Sequence, residues 1–361
     1  ICVAGKLDLV KCRVQGHRDG YGFAVLMEGT GEDIFLSERE MHKVMHGDIV
    51  MVRPMGIDRR GRQAGEIVEV LQHMVRCVVG RLNHEHGVWS VVPEEKRLTQ
   101  DILIEPASET DYRCGQVVVV EILVPPDGHH QPIGRIIEVL GDYADPGMEI
   151  EIALRKYALP YQFSDAVVLQ VAKSIPKKVR KKDWKDRVDL RDLPLVTIDG
   201  ETARDFDDAV YCERNGRGYR LVAAIADVSF YVLPDEALDR EAYERGTSVY
   251  FPRRVIPMLP EALSNGICSL KPDVERLCMV CDMQINAAGQ VKSYQFYPAV
   301  MKSHARLTYT QVWEWLTSGA KDPLYPHIQT LYALFKKLHS AREKRGAIDF
   351  ESSETQIVFD N

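Results

Sequence analysis

What this chain lacks narrows it before any motif is read. No apolar run approaches the roughly 18–20 residues that a membrane-spanning helix needs, so no membrane partner is expected. The N-terminus, Ile1-Cys2-Val3-Ala4-Gly5-Lys6, lacks the basic-then-apolar layout of a secretory signal. It also lacks an initiator Met, which implies a chain that begins inside a longer protein. The eight cysteines (2, 12, 77, 114, 212, 268, 278 and 281) lack the dense, regular spacing of a disulfide framework and suit a reducing cytoplasm. Cys278 and Cys281 form one CxxC, with no second CxxC and no HxxxH in range to complete four zinc ligands. They sit in Leu277-Cys278-Met279-Val280-Cys281-Asp282-Met283, which reads as a buried strand.

A surplus of positive charge is missing too. The formal net charge of −7 argues against a general nucleic-acid coating protein, although the distribution of charge matters more than its sum. One segment runs the other way. Between Lys173 and Arg187 stand eight basic residues (173, 177, 178, 180, 181, 182, 185 and 187) against two aspartates. Such a run is either a solvated linker or a stripe that tracks phosphates, with binding that weakens steeply in salt.

What is present begins with a duplication. Asp33-Ile34-Phe35-Leu36 is answered by Asp101-Ile102-Leu103-Ile104, and Gly47-Asp48-Ile49-Val50 by Gly115-Gln116-Val117-Val118, both 68 positions later. Gly65-Glu66-Ile67-Val68-Glu69-Val70 is answered by Gly134-Arg135-Ile136-Ile137-Glu138-Val139 at an offset of 69. Short Val/Ile strands between Gly, Pro and Asp turns predict two tandem small closed β-barrels, over 1–72 and 73–142. In the first, Tyr21 and Phe23 lie two apart and share one side of a strand, where they either fill the core or offer a stacking platform for bases. A connector with the basic run follows over 143–190, then a mixed α/β domain over 191–361. There, a strand over 195–198 precedes an almost uniformly apolar one over 221–226, expected to be buried on both faces. Asp235 is expected to cap a helix ending at Arg245. Ile328, Leu331, Leu334, Phe335, Leu338 and Ala341 follow the spacing of another helix.

Between those two strands lies Asp199-Gly200-Glu201-Thr202-Ala203-Arg204-Asp205-Phe206-Asp207-Asp208. Asp205 and Asp207 project to one side of an extended chain, and Gly200 allows Asp199 to fold back towards them. Carboxylates brought that close repel, so some must protonate unless a cation neutralises them. A hard divalent ion with oxygen ligands, Mg²⁺ or Mn²⁺, relieves the conflict and can activate water against a phosphodiester. A solvated turn is the plain alternative, disfavoured by the apolar flanks and by Phe206 within the run. A calcium loop of the EF-hand type starting at Asp205 fails, since its sixth position is Val210 rather than Gly.

The segment Thr197–Val210 resembles the signature of the RNB family of 3′-to-5′ exoribonucleases, the ribonuclease II/ribonuclease R group. The likeness continues through Ala224-Ile225-Ala226-Asp227-Val228-Ser229, Arg245-Gly246-Thr247-Ser248-Val249-Tyr250, Leu263-Ser264-Asn265-Gly266-Ile267-Cys268-Ser269-Leu270 and His304-Ala305-Arg306-Leu307-Thr308-Tyr309. The wording is closer to the ribonuclease R branch. The run from Arg18 to Ser37 is similar to the aromatic strands of cold-shock domains, which are OB-type barrels. The resemblance implies an α+β architecture: two tandem OB-type (cold-shock) barrels followed by the N-terminal part of a mixed α/β RNB catalytic domain. It further implies a cytoplasmic, monomeric, processive enzyme that releases nucleoside 5′-monophosphates from single-stranded RNA 3′ ends, with structured RNA as a further substrate. Asp199, Asp205, Asp207 and Asp208 become the metal-site aspartates, with Asp208 closest to the chemistry. Tyr250 would hold the 3′-terminal nucleotides, Phe350 would stack on them, and Tyr309 would contact the RNA near the active centre. The family's catalytic domain continues beyond residue 361, where a glutamate and an arginine of the site are expected. The opposing reading is a non-catalytic RNA-binding protein working through the cold-shock pair, which would bind RNA with all four aspartates replaced.

Overall fold

The computed structural model describes residues 9–29, 31–58, 60–106 and 112–348. The chain divides into two compact units, Ile1–Tyr161 and Gln162–Asn361.

The first unit holds two closed barrels. In one, strands β1 (Val10–Gly16), β2 (Gly22–Leu26), β3 (Ile34–Leu36), β4 (Ile49–Ile57) and β5 (Gln63–Gln72) run in the order β1-β2-β3-β5-β4, and β4 pairs back to β1. Alternation along β1 turns Cys12 and Val14 inward, where they meet Ala24, Ile34, Leu36, Val50 and Val52. In the other, β6 (Cys77–Glu85), β7 (Val88–Pro93), β8 (Ile102–Ile104), β9 (Gln116–Val124) and β10 (Ile133–Asp142) close in the same cyclic order, around Leu82, Val91, Ile102, Val118 and Val120. The third strand pairs parallel to the fifth in both copies. The repeat read from the sequence is therefore a repeat of topology. Helix α1 (Glu38–Met41) follows β3, and helix α2 (Met148–Lys156) packs Met148 and Ile152 on Val79, Val117 and Val119.

The second unit opens with helix α3 (Asp165–Ser174), whose Ser164 side chain accepts from the Val167 N–H. Its sheet uses β11 (Val188–Leu190), β12 (Val196–Asp199), β13 (Asp208–Asn215), β14 (Gly218–Ala226), then helix α4 (Ala237–Arg245) and a small hairpin, β15 (Val249–Phe251) with β16 (Arg254–Ile256). Strands β17 (Glu275–Ile285), β18 (Val291–Lys302) and β19 (Ala305–Thr308) complete it before helices α5 (Tyr309–Ser318) and α6 (Tyr325–Lys344). The sheet is mixed, in the order β11-β18-β17-β14-β13-β12-β19, with the two outermost pairings, β11–β18 and β12–β19, parallel. This is the α+β architecture the sequence predicts.

One face of the sheet is sealed by Val167 of α3, Leu238 of α4 and Leu263 and Ile267 against Ala209, Val222, Ala224, Cys278 and Val280. The other face is sealed only in part, where Leu334 of α6 meets Cys212, Tyr219 and Ile285. Three expectations are corrected here. The run 221–226 is not buried on both faces: Ile225 is 49% exposed, because α6 does not reach that end of the sheet. Asp235 does not cap α4; it takes φ +63°, and the N-cap is Glu236. Phe335 does not face the core. It stacks outside, between Tyr332 and His339 at 6.0 and 5.7 Å.

Candidate active site

Asp199 is the last residue of β12 and Asp208 the first of β13. These strands are antiparallel neighbours, so both carboxylates stand at the same end of the sheet. Between them the chain leaves the sheet for eight residues and returns, and three devices outside the loop hold it. Arg306 on β19 donates to the carbonyls of Gly200 and Glu201 at 2.8 and 2.7 Å. The buried Ser269 hydroxyl accepts from the Phe206 N–H at 3.0 Å and donates to the Arg204 carbonyl at 3.1 Å. Arg276, itself buried, fixes that segment by donating to the Ser269 and Gly266 carbonyls at 2.7 and 3.1 Å. The fold-back that Gly200 is expected to allow does not depend on glycine. Gly200 has no positive φ, and a Cβ there would meet open space.

The four carboxylates act on one another. Burial, then the charges of Asp208 and Asp205, push the Asp199 carboxyl up against a downward pull from Arg306. Asp207 stays accessible at its edge, yet burial of its carboxyl, then Asp205, Asp208 and Asp199, push it up as well. Asp199 Oδ2 is buried without a hydrogen-bond partner among the described residues. No three acidic, histidine or cysteine side chains among the described residues form a ready metal cage. A hard divalent cation completes its coordination with water and substrate phosphates as well as with carboxylate oxygens. The hard oxygen donors, their repulsion and the orphaned Oδ2 fit such an ion.

A raised carboxyl stabilises the fold only while protonated. That contribution is present below the ordinary value of 3.8 and is lost as pH rises through the raised one. Asp207→Asn is therefore expected to melt higher than the parent in EDTA near neutral pH. The gain should be roughly 1–3 °C, because solvent screens most of the repulsion, and it should shrink as the pH falls towards 4. A variant melting at or below the parent temperature would show that the cluster is not under electrostatic strain.

Tyr250, on β15, stands beside the quartet: burial, followed by the Asp205 and Asp207 charges, raises the pKa of its hydroxyl. Its ring is 67% exposed. Tyr309 is also exposed and opens α5, one residue past Thr308, which is the register partner of Asp199. The quartet, Tyr250 and Tyr309 are thus gathered around one end of the sheet, while Phe350 lies outside the described residues. In the first unit, Tyr21 and Phe23 stand outside the buried barrel core. Tyr21 stacks on His17 at 4.4 Å, both rings meet Phe35, and the Arg62 guanidinium covers Phe35 at 3.6 Å. Arg306, Ser269 and Arg276 carry no role in a reading of the sequence. Their one signal is that Ser269 and Arg306 fall inside runs quoted for the family resemblance.

Residues 187–361 match the family model described as RNB domain, residues 91–164 that of a Cold shock domain, and residues 12–70 that of a Ribonuclease B OB domain. Ribonuclease R of Acidithiobacillus ferrooxidans is 47% identical over 359 residues, which cover 96% of this chain and 80% of that protein. Ribonuclease R of Escherichia coli K12 is 53% identical over 361 residues, covering 98% of this chain and 44% of that protein. The chain thus spans less than half the length of this second relative. The solved Mycoplasma genitalium RNase R in complex with ribose methylated single-stranded RNA superposes with a TM-score of 0.87 at 25% identity, over 97% of this chain and 56% of that one.

Proposed function

The chain belongs to the RNB family of ribonucleases, and from that premise we propose that it hydrolyses single-stranded RNA processively from the 3′ end, releasing nucleoside 5′-monophosphates. The observation that carries this reading is the mutually repelling quartet Asp199, Asp205, Asp207 and Asp208, with one buried carboxylate oxygen unpartnered. The family's divalent cation, Mg²⁺ in our reading, would be held within this quartet, with water and substrate phosphate completing its coordination. It would supply charge neutralisation and a water of lowered pKa.

The chain's own residues supply the rest. Tyr250 and Tyr309 present exposed rings on which terminal bases stack without regard to sequence. Tyr250 stands within the field of Asp205 and Asp207, and Arg306 fixes the loop that carries the quartet. Asp208, exposed at the start of β13, orients the attacking water. The water oxygen bonds to phosphorus, the bond to the 3′-oxygen of the preceding nucleotide breaks, and that oxygen leaves with a proton.

The test uses the polypeptide at its native length, fixed by intact mass, with 5′-labelled single-stranded RNA. The expected result is loss of full-length RNA to a short 5′-labelled end product with few intermediates, together with unlabelled nucleoside 5′-monophosphates seen by chromatography, all abolished by EDTA and restored by Mg²⁺ or Mn²⁺. Matched DNA should be spared. Salt-sensitive RNA binding with no mononucleotide under either metal would instead favour the binding-only reading, in which the Tyr21, Phe23 and Phe35 platform does the work.

A further inference from the structure

We propose that the second unit carries a separate nucleotide-binding subsite, a cleft between the basic run and Phe230. The cleft holds about 430 Å³ and is lined by Arg180, Lys182, Lys185, Arg187, Phe230 and Pro298, with Asp183 and Asp186 beside them. It rests on the reading of this chain as acting on RNA, and it settles which half of the basic run has which task.

The two arginines are committed to the frame. Arg180 is paired with Asp183 at 2.9 and 3.1 Å. Arg187 is paired with buried Asp227 at 2.6 Å and also reaches the carbonyls of Cys278 and Ala299. The lysines are not committed. Lys182 and Lys185 are exposed, and no ion pair engages either among the described residues, while Lys177, Lys178 and Lys181 flank them, exposed as well. Phe230 is partly exposed and held in place, with the Arg187 guanidinium at 5.0 Å from its centroid and Tyr231 edge-on at 5.1 Å. Free ammonium groups beside a fixed aromatic ring are the combination by which single strands are held: charge for the phosphate, a π-face for the base.

The position of the cleft gives this pairing a purpose. Pro298 pairs with Met279, Met279 with Ile225, and Ile225 with Asp208. All four are exposed, because directly paired residues share a face and this is the face that α6 leaves open. Three strand spacings separate the cleft from Asp208, about 14 Å along the sheet. A strand whose end lies at Asp208 can place an upstream nucleotide in the cleft, and a mononucleotide leaving Asp208 can reach it along the same row. The shared chemistry is a nucleoside phosphate.

The two sources separate experimentally. In EDTA, with Asp208→Asn as background so that no hydrolysis intrudes, labelled single-stranded RNA is titrated against the chain over a range of salt. Lys182→Glu/Lys185→Glu is compared with Lys337→Glu on α6, which matches it in kind of charge change but lies away from the cleft. An RNA-holding site predicts at least about tenfold weaker binding for the double variant alone, with a salt slope lower by about 1–2. Phe230→Ala should weaken binding at least about fivefold. A site for released nucleotide predicts that AMP binding is lost in the double variant while RNA binding holds. If the double variant and the Lys337 control bind RNA with equal affinity and slope, and AMP equally, the inference is overturned. Hydrolysis is read separately: if Asp208→Asn leaves the cleavage rate intact, the proposed chemistry falls whatever the lysines show.

Discussion

Replacing Asp208 with Asn is expected to lower the rate of RNA hydrolysis by at least about 10²–10³-fold, the loss that follows removal of one electrostatic contact to a developing charge. The substitution keeps size and shape and removes only the charge. Asp208 is exposed, and its backbone pairs with Ile225 whatever the side chain, so no core contact is lost. Its charge also pushes up the carboxyls of Asp199 and Asp207, so its removal relieves the cluster. Activity should therefore collapse while the melting temperature in EDTA holds or rises, and RNA binding in EDTA should persist. A destabilised fold would lose all three together. Initial rates on labelled RNA, set beside melting curves for the same preparations, distinguish the cases. An unchanged rate would remove Asp208 from the chemistry and take the quartet's assignment with it.

The parts of this site that were legible in the sequence are the local ones. Asp199, Asp205, Asp207 and Asp208 fall within ten residues, so their spacing alone raises the question of how their repulsion is relieved. The barrels were legible because duplication repeats a pattern at fixed offset; Ile34–Leu36 and Ile102–Ile104 are the third strands of the two barrels, 68 residues apart. What holds the quartet was not legible. Ser269 lies 63 residues from Phe206, and Arg306 lies 106 from Gly200. An arginine whose task is to hold two carbonyls has no local pattern to mark it. Two of the errors, at Ile225 and Phe335, have a common source. A uniformly apolar strand and a helical stripe say that a side chain could be buried, not that anything covers it. Ile225 and Phe335 are exposed because no neighbouring element reaches them.

Arg187→Ala is expected to destabilise the second unit by about 3–5 kcal/mol, the penalty for leaving a buried charge without its partner, with a fall in melting temperature of roughly 6–20 °C. The side chains of Arg187 and Asp227 are 8% and 5% exposed and lie 2.6 Å apart. With the guanidinium gone, Asp227 keeps, among the described residues, only the Ser229 hydroxyl at 2.8 Å, too little to solvate a buried carboxylate. The loss also reaches the sheet. Arg187 immediately precedes β11, whose partner strand is β18, and it donates to carbonyls on β17 and β18, so the edge strand loses its anchor. Replacing both members by apolar residues of similar size, Arg187→Met with Asp227→Leu, should recover most of the stability, since a buried pair is worth little against a well-packed apolar substitute. Arg187→Ala melting within about 2 °C of the parent would show that water reaches Asp227 and that the pair is not a fastening. Because Arg187 also supports Phe230, this variant would disturb the cleft and the fold together. The lysines, which hold nothing in place, are therefore the residues on which the nucleotide site is tested.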